Sequence, residues 1–411
     1  MMILRSCLQR RFLFAFLGAA IFLATGNGFS AQEIPFPVSA RLAGAVEFWK
    51  QIFTHFGANE AVFFDPLDPQ KIYSVLRAPE TDEGRAMIEK ERRRIIADYD
   101  LNEEEGRVRS QRGVQERFLS GLRISGRYTT QMQKIFRAEG LPAELAFLPL
   151  VESSFNVRAR STVGAVGIWQ FMPDTGKKFL RIDDAVDERK DPLASTRAAA
   201  RLLRENYKLF GNWPLAITAY NHGTEGIFRG MNATGSQNLE DLIGRYQSPT
   251  FGFASKNFYA EFLAAAEIAK DSEAYFPFLR SLRPLTFREV EIKRSVQIQA
   301  LLRSAAIKQN DFLDWNPALS PRTKYLPAGY SVKVPEDKVD SFLTVHRRLA
   351  DTPEPKSVAS VTKRRSAGLE SQQKADVRKT GLQRKGSKRR AVKGMPKPIR
   401  SAGRGVVAAT G

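Results

Sequence analysis

Three short stretches of this 411-residue chain bring together residue types that could do chemistry. In the first, Val151-Glu152-Ser153-Ser154-Phe155-Asn156, a glutamate closes an apolar segment that carries Leu145, Leu148 and Val151. A carboxyl set against apolar surface favours its protonated form, the form a general acid needs. A solvated glutamate at a helix end is the plainer reading of the same pattern. The second stretch runs from Ser161 to Pro173. Its small residues, Gly164, Ala165 and Gly167, let backbone come close to a ligand or to a neighbouring segment. Trp169, Phe171 and Met172 offer apolar faces on which a sugar ring could stack, and Gln170 has both a donor and an acceptor. By itself it also reads as a tight turn entering a core. The third, Ala219-Tyr220-Asn221-His222-Gly223, suits a polar site and a capped helix end equally well.

The elements around these stretches read as helices. Phe118, Leu122, Tyr128, Met132 and Phe136 form one apolar face that ends at Gly140 and Pro142. Asp191-Pro192 is a helix start and Gly211 a helix stop. A further helix is expected over Ala254–Lys270, with Phe258, Phe262, Ala265 and Ala269 on one side. Ahead of them, residues 32–115 read as helical and amphipathic, with Leu42, Val46, Trp49, Phe53 and Phe56 in one stripe and Met87, Ile88, Ile95 and Tyr99 in another. Strand signals are expected only late, at Val290–Ile292 and Val332–Val334, around a helical stretch from Gln297 to Phe312.

Taken in order and spacing, the three stretches resemble the catalytic domain of lytic murein transglycosylases, most closely the membrane-bound type D branch. Residues 140–265 carry the resemblance. Leu141–Pro149 leads into Glu152-Ser153, Gly167–Pro173 matches the second motif of that family, and Tyr220-Asn221 with Gly223 the third. The resemblance implies a mainly α, lysozyme-like catalytic domain in which Glu152 is the single acid/base. Substrate-binding residues would be Ser161, Trp169, Gln170, Met172, Tyr220, Asn221 and Phe258, with no metal and no cofactor. The implied reaction cleaves the MurNAc–GlcNAc bond of peptidoglycan and leaves a 1,6-anhydro end. Two positions depart from the family. His222 stands where alanine is usual, a change read as tuning. Asn257-Phe258 stands where an Asn-Tyr pair is common, with Tyr259 one place later; Phe258 is then expected as an apolar wall of the cleft, and Tyr220 as the source of the phenol hydroxyl. Residues 289–335 resemble a degenerate LysM module that lacks its usual entry motif.

Composition frames these readings. The formal charge is +20, yet residues 351–411 hold sixteen Lys/Arg against four Asp/Glu, a net of +12. That stretch has few large apolar residues and is expected to be disordered. Arg5, Arg10 and Arg11 precede a short apolar run, Phe12–Ala24, followed by small residues up to Ala31. This reads as a secretory signal, too short to span a bilayer. Cys7 is the one cysteine, so no disulfide is expected in the mature chain, and three scattered histidines argue against a His/Cys metal site. The expected organisation is a signal over 1–31, a helical region over 32–115, the catalytic domain over 116–275, a small LysM-like α/β module over 276–350 and a basic tail over 351–411. Export across the inner membrane to the periplasm or envelope follows, with glycan strands as partner. The tail would dock on an anionic wall or membrane surface, and nucleic acid is not expected. Two other functions fit the same residues. One is a goose-lysozyme-like hydrolase using a second carboxylate among Asp174, Asp183, Asp184, Asp187 and Glu188. The other is a non-catalytic wall-binding protein.

Overall fold

Residues 60–65 contain an unbroken apolar run, Ala61-Val62-Phe63-Phe64. A run without alternation buries both faces of a strand, and that is its fate in the computed structural model, which describes residues 35–350. Strand β1 (Glu60–Asp65) lies between β2 (Asp68–Arg77) and β3 (Arg109–Arg112) in an antiparallel sheet of order β2-β1-β3. Val62 and Phe64 face helix α1 (Ala40–Thr54), with the Phe48 and Phe64 rings 4.3 Å apart. Ala61 and Phe63 pack with Ile95 of α2 (Asp82–Asp98). The expectation of an all-helical region over 32–115 is therefore corrected. The apolar run is short enough to be read as helix core, and its two-sided burial decides for strand. Of the second stripe, Ile95 is fully buried, while Met87 and Tyr99 face solvent.

The central helices follow. They are α3 (Gln115–Ser125), α4 (Thr129–Ala138), α5 (Leu148–Ser153), the short α6 (Pro173–Gly176), α7 (Pro192–Phe210), α8 (Trp213–His222), α9 (Thr224–Thr234), α10 (Leu239–Arg245), α11 (Phe253–Lys270) and the single turn α12 (Ser272–Tyr275). Helix α7 starts and stops where the sequence places it. The Asp191 carboxylate accepts from the backbone N–H groups of Leu193 and Ala194, Pro192 occupies the first turn, and Gly211 closes the helix at φ 69°. Helix α11 is the axis of the domain: its middle is buried all round, and it packs against α1, α5 and α8. One continuous apolar core takes in α1 and the central helices alike, so the chain is mainly α with a small sheet near its start.

A second, smaller core gathers Val186 with apolar residues of the stretch 290–349. Strand β4 (Phe287–Glu291) pairs antiparallel with β7 (Ser331–Pro335), Val290 opposite Val332. Between them run β5 (Val296–Gln297), α13 (Ile298–Ser304), α14 (Gln309–Trp315) and β6 (Tyr325–Leu326), and α15 (Val339–Ala350) packs across the group. The late strands lie where the sequence puts them. Buried Asp191 forms an ion pair with buried Lys333 of β7, tying this module to the start of α7. Burial alone would push the Asp191 carboxyl up, but the Lys333 ammonium and the two capping N–H groups outweigh it and hold it below its ordinary range. No helix among the described residues is long and apolar enough to cross a membrane. The expected signal over 1–31 and the basic tail over 351–411 lie outside the described residues.

Candidate active site

Glu152 sits in the last turn of α5, a six-residue helix whose every residue is buried. Pro149 opens the helix, and Ser154, in left-handed backbone at φ 49°, ends it. Phe155 continues left-handed at φ 54°, and its ring is fully buried. Two consecutive non-glycine residues in that region are costly, and here core packing of Phe155 holds them. Gly121 of α3 admits the turn: a Cβ there would stand 2.9 Å from the Ser154 carbonyl oxygen. Glu152 is 4% exposed. Burial of a carboxyl with no lysine or arginine on its own helix is the local chemistry an acid/base needs.

The loop over residues 161–171 folds back beside α5. Its backbone carbonyls are gathered by side chains from elsewhere. The Ser153 hydroxyl donates to the Ile168 carbonyl at 2.9 Å, and the Tyr220 hydroxyl to the Trp169 carbonyl at 2.7 Å. Arg189 donates to the carbonyls of Gly164 (3.1 Å) and Phe171 (3.2 Å) while its other nitrogens hold the Asp187 carboxylate. Gly167, at φ 79°, must be glycine, because a Cβ would meet the Arg189 carbonyl oxygen at 1.9 Å. Gln170 is left-handed at φ 47° and donates from its amide to the Gly167 carbonyl. The motif order along the chain thus becomes a set of contacts, α5 and α8 both anchoring one loop.

The remaining expected site residues fall into two groups. Ser161 accepts from the Ala165 N–H at 2.9 Å and shapes the loop, and Met172 is half-buried just before α6. Asn221 is buried on α8, where its side-chain oxygen accepts from Ser255 of α11. The same Ser255 hydroxyl lies 3.1 Å from His222 Nδ1. Burial, then the Arg229 charge, holds that imidazole below its ordinary range. Trp169 and Phe258 are a different matter, since both are 0% exposed. The Trp169 indole donates to Thr196 at 2.9 Å deep in the core, and Phe258 belongs to the same apolar cluster. A ring closed off on all sides offers no face to a sugar, so these two build the site's floor from behind rather than lining it. Tyr259 is also buried and donates to the Pro37 carbonyl at 3.1 Å, away from the site loop.

One carboxyl near Glu152 is absent from the sequence reading. Glu261 of α11 is 2% exposed; its pKa is pushed up to about 8, first by burial and then by the charge of Glu152. It lines a cavity of about 470 Å³ together with Ser153, Ser154 and Asn156. Its sequence signal is an acid inside an apolar stretch of α11, Phe258-Tyr259-Ala260-Glu261-Phe262-Leu263. The carboxylates expected to be available for a second role are hydrogen-bonded within their own loop or exposed. Asp187 holds Arg189, Asp183 accepts from Ala185 and Val186, Glu188 accepts from the Arg181 N–H, and Asp174 and Asp184 are exposed.

Comparison with known proteins matches the segment that holds these residues. A family model described as "Transglycosylase SLT domain" matches residues 132–243. Membrane-bound lytic murein transglycosylase D of Escherichia coli is 30% identical over 211 residues, which cover 50% of this chain and 46% of that protein. The transglycosylase of Enterobacteria phage PRD1 is 39% identical over 83 residues, 20% of this chain and 29% of that one. The solved lytic transglycosylase Slt of Pseudomonas aeruginosa aligns over 49% of this chain and 26% of its own, at 18% identity and a TM-score of 0.31. The chain thus spans about half the length, or less, of the curated relatives it matches. Glu152, the site loop and the Tyr220-Asn221 pair all fall inside residues 132–243, the segment that the transglycosylase SLT domain model matches.

Proposed function

We propose that this chain is a peptidoglycan lytic transglycosylase that cleaves the MurNAc–GlcNAc β-1,4 bond with Glu152 as its one acid/base. The observation that carries the reading is the burial of Glu152 at the end of α5, beside a loop held by Ser153 and Tyr220, within the family segment. In the first step the Glu152 carboxyl gives its proton to the glycosidic oxygen as the bond from that oxygen to C1 of MurNAc breaks. The oxocarbenium-like centre is supported by the substrate's own N-acetyl oxygen. In the second step the Glu152 carboxylate takes the proton of the C6 hydroxyl as that oxygen closes onto C1. A 1,6-anhydro ring forms, no water is consumed, and Glu152 ends as it began. Ser161, Gln170, Met172, Tyr220 and Asn221 shape and line the cleft.

A hydrolase would need a second carboxylate to activate water. Glu261 lies near Glu152, and burial, then the Glu152 charge, pushes its pKa up to about 8, which disfavours it as a base near neutrality. That favours the one-carboxylate reaction. We place the protein in the periplasm or cell envelope, with glycan strands as substrate, the LysM-like module over 276–350 as an accessory to strand binding, and the basic tail on an anionic wall or membrane surface. Digesting purified peptidoglycan and resolving the fragments by mass tests the reaction. Anhydro ends are one water lighter than reducing ends; reducing ends would make the chain a hydrolase, and no fragments a wall-binding protein.

A further inference from the structure

A second cavity, of about 700 Å³, is lined by residues of the N-terminal sheet and its helices and by the start of α11. It shares Arg109 and Phe253 with the cavity that Glu261 and Ser153 line. Arg109 lays its guanidinium 4.0 Å over the Phe253 ring and has no carboxylate partner among the described residues. Burial, and then the like charge of Arg92, lowers its proton affinity, and both arginines line this cavity. The Nε of Arg92 is sealed from solvent and has no acceptor among the described residues; its nearest carboxylate oxygen, on Glu89, stands 3.8 Å from another of its nitrogens. Across the cavity Lys256 of α11 is half-buried, held below its ordinary range by burial alone, and without a carboxylate among the described residues.

We propose that this cavity binds the peptide stem of the substrate strand, with Arg92, Arg109 and Lys256 taking its carboxylates. Cations that burial and mutual repulsion disfavour gain most from a carboxylate held between them. Glu89 and Glu105 line the same cavity. They oppose a polyanion such as a nucleic acid or a polyphosphate and suit a peptide carrying amino groups beside its carboxylates. Arg109 and Phe253 line both cavities, so the two lie side by side. All three cations lie outside residues 132–243, so the site is an addition made by the N-terminal sheet and by α11. The inference rests on the peptidoglycan reading above.

Binding, measured without cleavage, tests it. The full chain carrying Glu152→Gln is sedimented with insoluble glycan strands that keep their stems, and with strands stripped by an amidase. We expect about tenfold tighter binding to the strands with stems. Arg92→Gln with Lys256→Gln should erase that preference, leave binding to stripped strands unchanged and keep the unfolding midpoint. Lys256→Arg, which retains the charge, should keep the preference, and free stem peptide should compete where inorganic phosphate at equal concentration does not. Equal binding to both polymers by the parent chain would overturn the proposal. So would an equal loss on both polymers in the double variant, or competition by phosphate alone. A stem preference in a wild-type chain that releases no anhydro ends would count against the cleavage reading and leave this site standing.

Discussion

The site loop over 161–171 and the β4–β7 module solve the same problem in opposite ways. In the module, backbone pairs with backbone along an antiparallel ladder, and a small apolar core closes over it. In the loop, carbonyls at 164, 168, 169 and 171 are satisfied by Arg189, Ser153 and Tyr220, side chains drawn from three separate elements. Left-handed residues, Ser154, Phe155 and Gln170, cluster at the loop and the turn before it. A ladder tolerates substitution because neighbouring bonds share the load. A loop strung from single hydroxyls does not, but it can hold backbone in conformations that no strand or helix supplies, next to a buried carboxyl. Functional precision here comes at the cost of depending on distant residues.

The sharpest way to separate the two regions is Glu152→Gln. It keeps volume and hydrogen bonding and removes the transferable proton, so clearing of peptidoglycan should fall by about 10²–10⁴-fold with the unfolding midpoint unchanged. Clearing near the wild-type rate would remove Glu152 from the chemistry. The reverse experiment strikes the join between the regions. Lys333→Met leaves the Asp191 carboxylate buried without its cation, a loss on the order of 3–5 kcal/mol in urea unfolding. An unfolding curve like that of wild type would show that the module is not coupled to α7 through this pair.

A smaller effect, with a definite sign, concerns Glu261. Unfolded, its carboxyl ionises near 4.5; folded, it keeps the proton to about 8. The folded state therefore binds more protons between these values, and this residue's contribution to stability falls as pH rises from about 4.5 to about 8. Glu261→Gln removes that dependence. The variant should match wild type at pH 4 and exceed it by roughly 2–4 kcal/mol at pH 8. A gain that does not change with pH would mean Glu261 is not neutral in the fold. Least of all should be the tyrosines. Tyr220→Phe frees the Trp169 carbonyl in the site loop and should cost about 1–2 kcal/mol and roughly tenfold in rate. Tyr259→Phe should cost about 1 kcal/mol through Pro37 and nothing in rate. Loss of rate in the second and not the first would place the phenol of α11, not that of α8, at the site.

Much of this was legible before any fold. The caps of α7, the reach of α11 and the late strands around Val290 and Val332 follow from local rules that depend on neighbours in sequence. Residue type alone left Glu152, Gln170 and the Tyr220-Asn221 pair open to plainer readings, and the family resemblance singled them out; they fall within the one matched segment. What local rules could not supply was which side a ring faces. In a list of residues Trp169 looks like a sugar platform and Phe258 like a cleft wall, and packing closes both off from solvent.

The sequence alone determined that a glutamate ends an apolar segment, and that a glycine-rich loop and a Tyr-Asn turn follow in a set order, because chemistry by type and helix punctuation are local properties. Only the tertiary structure decided that Ser153 and Tyr220 grip the same loop, that the Ala61–Phe64 run is a strand buried on two sides, and that Glu261 from more than one hundred residues away shares the electrostatics of Glu152. Hydrogen-bond reach and the desolvation of a charge are set by neighbours in space, and those exist only once α5, α8 and α11 have packed together.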